Sequence, residues 1–157
     1  VCIDDFYGEA QRVAERCGTP TVNIRDLTTG QVTSIQPPTD GSNLGPLGEA
    51  VSSHQLVGSA RFSPDGQRVA YALAKGDPND ELGWVAVSEG LSGASKLVAN
   101  SQPGSYFTVI GWLSDDVLLL QLNGVTPEIK PSVWVIGASG ADGFQLVEGT
   151  FLALLGQ

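Results

Sequence analysis

The chain reads as an all-β protein built from repeated four-stranded antiparallel sheets. Three observations predict this. The stretch Ala60 to Leu73, ARFSPDGQRVAYAL, sets a turn between two alternating apolar runs. Apolar landmarks then recur at one offset: Phe62 and Trp112, Trp84 and Trp134, and Leu97 and Val147 each stand 50 residues apart. Composition agrees. Of 157 residues 20 are Gly and 9 are Pro, with 41% hydrophobic and 16% charged. That mix suits short strands joined by many turns, not long helices. Four strands per unit at a period in this range are the signature of a β-propeller blade.

The hairpin carries its own physics. Pro64 presets φ for the first central position of the turn, Asp65 bonds to local backbone, and Gly66 tolerates positive φ. Val69, Tyr71 and Leu73 then share one strand face, with Arg68, Ala70 and Ala72 on the other. Upstream, Val1 to Phe6 alternates weakly and reads as the end of a strand two. Glu9 to Arg16 has local helical character but no apolar stripe, so it reads as a long hairpin loop with at most one helical turn. Thr21 to Leu27 and Gln31 to Gln36 read as strands three and four of the same blade, so residues 1–36 make a partial blade. Residues 37–57, rich in Pro, Gly and Ser, read as a loop.

Residues 58–100 make a full blade with strands over Gly58 to Ser63, Arg68 to Ala74, Trp84 to Ser88 and Lys96 to Ala99. Residues 101–157 make another, with strands over Tyr106 to Leu113, Val117 to Leu122, Ser132 to Ile136 and Phe144 to Val147. Phe151 to Leu155 opens a next element. The expectation is about ten strands in two and a half blades, an incomplete propeller or part of a larger one. Phe62, Val69, Tyr71, Trp84, Trp112, Leu119 and Trp134 are the expected core.

The segment Arg61 to Tyr71, RFSPDGQRVAY, resembles the first hairpin of TolB-type and WD-like propeller repeats. Ile24 to Gln31, ending in DLTTGQ, resembles the hairpin that follows in such repeats. The resemblance runs over nearly the whole chain as repeats, but only Arg61 to Tyr71 matches tightly. The second copy, GWLSDDVLLLQ, lacks the Pro and Gly of the turn and is shorter. No Trp-Asp dipeptide is present, which favours the TolB-like branch. The same repeats occur in the propeller domains of prolyl-oligopeptidase-type peptidases. The resemblance implies a fold and leaves the activity open.

A net charge of −9 repels phosphate backbones and argues against nucleic acid. No apolar run is long enough for a membrane helix, and no signal-peptide pattern is visible. With Val1 first and no Met, a processed or excerpted chain is expected. Cys2 and Cys17 bracket the polar segment CIDDFYGEAQRVAERC. A disulfide between them is expected, with two reduced thiols as the alternative. A disulfide points to an extracellular, periplasmic or cell-surface setting.

No catalytic, cofactor-binding or metal site is expected. His54 is the single histidine and reads as a loop residue. Asp77, Asn79, Asp80 and Glu81 place oxygen ligands close together, but without the EF-hand spacing they read as a solvated loop. Asp4-Asp5 and Asp115-Asp116 read as turn or strand-end pairs. Trp84, Trp112 and Trp134 read as packing between sheets rather than as a sugar-stacking set. Glu128, Lys130 and Pro131 lie on a rim loop of the kind that meets partners. The leading reading is therefore a non-enzymatic propeller module for protein interaction or structural assembly. Its expected partners are a protein, or other chains or domains that complete the propeller. The alternatives are the propeller domain of a prolyl-oligopeptidase-type serine peptidase and a calcium- or carbohydrate-binding propeller.

Overall fold

The computed structural model describes residues 3–15, 21–38, 54–75, 83–91, 93–140 and 143–152. Twelve strands form three antiparallel sheets of four, each in simple chain order. The first sheet holds β1 (Ile3–Tyr7), β2 (Arg12–Glu15), β3 (Val22–Asp26) and β4 (Val32–Ile35). The second holds β5 (His54–Phe62), β6 (Val69–Lys75), β7 (Gly83–Ser88) and β8 (Ser95–Asn100). The third holds β9 (Ser105–Ser114), β10 (Val117–Gly124), β11 (Ser132–Gly137) and β12 (Gly143–Glu148). No helix occurs among the described residues. β5 touches both β1 and β9, so the first strand of each sheet is the inner one, and β4, β8 and β12 lie outermost.

The sheets stack face to face through two apolar layers. Between the first and second sheets lie Ala14, Val22, Ile24 and Ile35 against Phe62, Tyr71, Leu73 and Ala86. Between the second and third lie Ala72, Val85, Val87 and Val98 against Phe107, Val109, Leu118 and Leu120. The second sheet is therefore covered on both faces, and every residue of β7 is buried. Strand alternation does the sorting: Ala86 looks toward the first sheet, Val85 and Val87 toward the third.

The turn at Ser63 to Arg68 forms as its residues dictate. Gly66 donates its amide to the Ser63 carbonyl at 2.8 Å and sits at φ 65°. The Ser63 hydroxyl donates to Asp65 at 2.6 Å, and Asp65 accepts the Gln67 amide at 3.0 Å. These bonds, the Ser63 hydroxyl foremost, hold the Asp65 carboxyl below its usual range.

Several expectations are corrected. The segment before residue 37 is a complete blade, not half of one, because Ile3–Tyr7 is strand one rather than the end of a strand two and the supposed loop Glu9 to Arg16 contains strand two. Val13 and Ala14 are buried there while Arg12 and Glu15 flank them, so the apolar stretch is too short to announce a strand. Twelve strands among the described residues therefore replace the expected ten or so. β5 begins at His54, which shortens the expected 37–57 loop and moves His54 from a loop to a strand end.

The expected core also needs adjustment. Phe62, Val69, Tyr71, Trp84 and Leu119 are buried, but Trp112 and Trp134 are only half-buried. The matched offset is looser at the third strands than the numbering suggests. Leu73 pairs with Trp84, whereas its counterpart Leu122 pairs with Ser132, and Trp134 stands one rung further on, opposite Leu120. The turn at Asp115-Asp116 and the β10–β11 connection are each one residue shorter than their counterparts, and together they shift that register by two residues.

Candidate functional site

A groove of about 560 Å³ opens where the second and third blades part toward their outer strands. Three pieces of the chain build it. The end of β8 and the connection to β9 supply Asn100 and Gln102. The β10–β11 loop supplies Glu128 and Lys130. The face of β11 and β12 that looks toward the second blade supplies Trp134 and Gln145, which pair across the two strands.

Trp134 is held in place. Its ring stands edge-on to Phe107 at 6.4 Å and 80°, and its indole Nε1 donates to the Ser132 hydroxyl at 2.9 Å. The indole proton is thereby used, and the ring offers the groove carbon surface. Lys130 pairs with Glu148 at 2.9 Å on the rim, with both side chains largely exposed. The Thr126 side chain, with Glu128's own amide, holds the Glu128 carboxyl below its usual range, so it is anionic at neutral pH. The side chains of Asn100, Gln102 and Gln145 make no hydrogen bond within the described residues. They present amide donors and acceptors to the space.

A second set of polar groups lies at the other end of the blades, between inner strands. Asp4 and Asp5 accept the Ala60 and Phe62 amides at 2.9 and 2.8 Å. Arg61 reaches the Asp4 carbonyl at 3.2 Å, and its own carbonyl accepts the Trp112 indole proton at 3.0 Å. These acids are spent as links between sheets, each standing in for a ladder bond that separate sheets cannot make. Among the described residues no three His, Cys, Asp or Glu side chains converge as metal ligands.

Of the residues singled out in the sequence, Trp134, Glu128 and Lys130 meet in the groove. Pro131 follows them on the loop, and its carbonyl accepts the Gly149 amide at 2.7 Å. Trp84 is a buried residue of β7, and Trp112 lies at the opposite end under Arg68, whose guanidinium carbon stands 5.4 Å from the ring centre. Asp115 and Asp116 join the seam between the second and third blades. Cys2, Cys17, Asp77, Asn79, Asp80 and Glu81 lie outside the described residues, as does the side chain of His54. The amides Asn100, Gln102 and Gln145 carry no local motif, and only the blade register could have placed them beside Trp134.

No family model matches the chain, and no curated protein matches it. Among solved structures the chain is similar to an oligogalacturonate lyase in complex with manganese, with a TM-score of 0.68 and 8% identity. The match covers 92% of this chain and 39% of that one, so the chain spans about two-fifths of that protein's length. The likeness extends to the fold alone: three consecutive four-stranded blades of an incomplete β-propeller.

Proposed function

We propose that this chain supplies consecutive blades of a larger β-propeller that serves as a non-catalytic module for protein interaction or structural assembly, in a secreted or cell-surface protein. One observation carries the reading. Among the described residues every large apolar side chain that stays exposed belongs to the first or third sheet or to the segments beside them, and none to the second.

The third sheet makes the point rung by rung. Trp112–Leu118 is the first apolar rung after the turn, as Phe62–Val69 is in the second sheet. The next rungs run Leu119–Val135–Phe144 and Gln121–Val133–Val147. Their counterparts in the second sheet are Ala70–Val87–Lys96 and Ala72–Val85–Ala99, whose apolar members are buried against the third sheet. On the same face of the third sheet Leu119, Gln121 and Val133 are buried, with Gln121 bonded to Gly149 and Phe151, while the outer strand leaves Phe144 at 57% and Val147 at 53% exposure. It is built as a seat for a following blade or an equivalent sheet. Patches of this kind mark interaction surfaces in soluble proteins.

Sedimentation velocity over a wide concentration range tests this. The chain is expected to associate as concentration rises, and the variant Phe144→Glu with Val147→Lys is expected to sediment as a single 16.3 kDa species. A wild-type chain that stays monomeric throughout would sink the reading.

A further inference from the structure

We propose that the groove between the second and third blades binds a neutral oligosaccharide. The proposal concerns a different surface from the outward sheet faces and does not depend on what covers them.

Size is the first argument. About 560 Å³ falls within the range of small-molecule sites, roughly 300–1,000 Å³, and accommodates a few sugar rings. Chemistry is the second. A pyranose has an apolar face of C–H bonds and a rim of hydroxyls that both donate and accept. Trp134 supplies the matching surface, since its indole proton is committed to Ser132 and its half-buried ring borders the open space. Asn100, Gln102 and Gln145 supply the matching rim, because each amide carries a donor and an acceptor and none is engaged within the described residues.

Charge narrows the class. Glu128 and Glu148 outnumber Lys130, which is already paired at 2.9 Å, and the whole chain carries −9. An acidic sugar or a phosphate would meet repulsion at short range. An extended peptide is a poorer fit. The unengaged groups that line it are side-chain amides, which suit ring hydroxyls, rather than a row of main-chain groups for strand pairing. The blade geometry also explains why the site is open. At the seam between the first and second blades the buried Tyr71 hydroxyl contacts Ser95 at 2.7 Å and donates to the Gln36 carbonyl at 3.3 Å. The groove at the next seam is bounded instead by Gly143 and Gln145.

Isothermal titration calorimetry of the whole chain tests the proposal, with cellotetraose, xylotetraose and mannotetraose as neutral probes and tetragalacturonate as the acidic one. At least one neutral probe is expected to bind one-to-one, and tetragalacturonate at least about tenfold more weakly. Gln145→Ala and Asn100→Ala, both exposed and harmless to the fold, are each expected to weaken binding by about three- to tenfold, the worth of one hydrogen bond. Trp134→Phe keeps a ring while removing the larger platform, and is expected to weaken it further. The proposal is overturned if none of the neutral probes binds, if tetragalacturonate binds as tightly, or if binding is unchanged in both amide variants.

Discussion

The backbone amide of Asp65 donates to the Asp115 carboxylate at 2.9 Å, joining equivalent turns of two consecutive blades across 50 residues. The turn that closes one hairpin is thus also a fastening for the next. Arg68, from the same turn, donates to the Asp115 carbonyl and to the Asp116 carboxylate and covers the Trp112 ring.

Arg68→Ala should therefore loosen the seam. Asp116 is 87% exposed, so the ion pair contributes at most about 1 kcal/mol. The cation–π contact adds roughly 0.5–1 kcal/mol. A destabilisation of about 1–2 kcal/mol is expected in urea melts, with Arg68→Lys intermediate. A melt indistinguishable from wild type would remove the fastening role.

Trp112 separates two contributions. Trp112→Phe keeps a ring but removes the proton given to the Arg61 carbonyl, at an expected cost of about 1 kcal/mol. Trp112→Ala should cost about 2–3 kcal/mol, below the 3–5 typical of a fully packed aromatic, because the ring is half-buried. Denaturant melts of both variants check the order. Equal losses would mean that the hydrogen bond, not the ring, carries the contact.

Tyr71 predicts a pH dependence. Burial pushes its phenol up to about 12, above the 10.0 of the unfolded chain, while the bond to Ser95 pulls the other way. The fold favours the neutral phenol, so this contribution is whole below about pH 10 and is lost as pH rises through about 12. Relative to Tyr71→Phe, wild type should lose on the order of 2–3 kcal/mol across that window. Parallel alkaline profiles for the two proteins would contradict the burial of this hydroxyl.

Two glycines mark where blades meet closely. A Cβ at Gly83 would stand 2.7 Å from the Tyr106 Cα, and backbone cannot swing aside as a side-chain tip can. A Cβ at Gly66 would stand 2.2 Å from the Tyr7 ring, at a φ of +65° that already disfavours alanine. Gly83→Ala and Gly66→Ala should each cost about 1–3 kcal/mol. Thermal melts within a degree of wild type would show that the seams have slack.

The limits of legibility follow from the same residues. Ser63-Pro64-Asp65-Gly66 announces its hairpin because every position has a local reason for the turn. The blade period is visible because aromatics mark first strands at Phe62 and Trp112. Arg12 to Glu15 hides, because its pairing to β1 and β3 comes from sheet neighbours rather than from its own two apolar residues. The offset that joins Trp84 to Trp134 overstates their equivalence, because a turn and a connection each shortened by one residue together move the later strand by a rung. The groove was least legible. Asn100 and Gln145 are far apart in the chain and meet only when blades stack, so no local pattern records them.

Amide hydrogen exchange in β8 and β12 tests the central claim most directly. Both are the outermost strands of their sheets, and they differ in whether another sheet covers the face beyond. In β8, Val98 and Ala99 are buried under the third sheet, whereas all of β12 is exposed. Under monomeric conditions β8 should exchange far more slowly than β12, and β12 should gain protection as the chain associates. Equal protection in the two strands, unchanged by concentration, would contradict the account of an outward face built to seat a further blade.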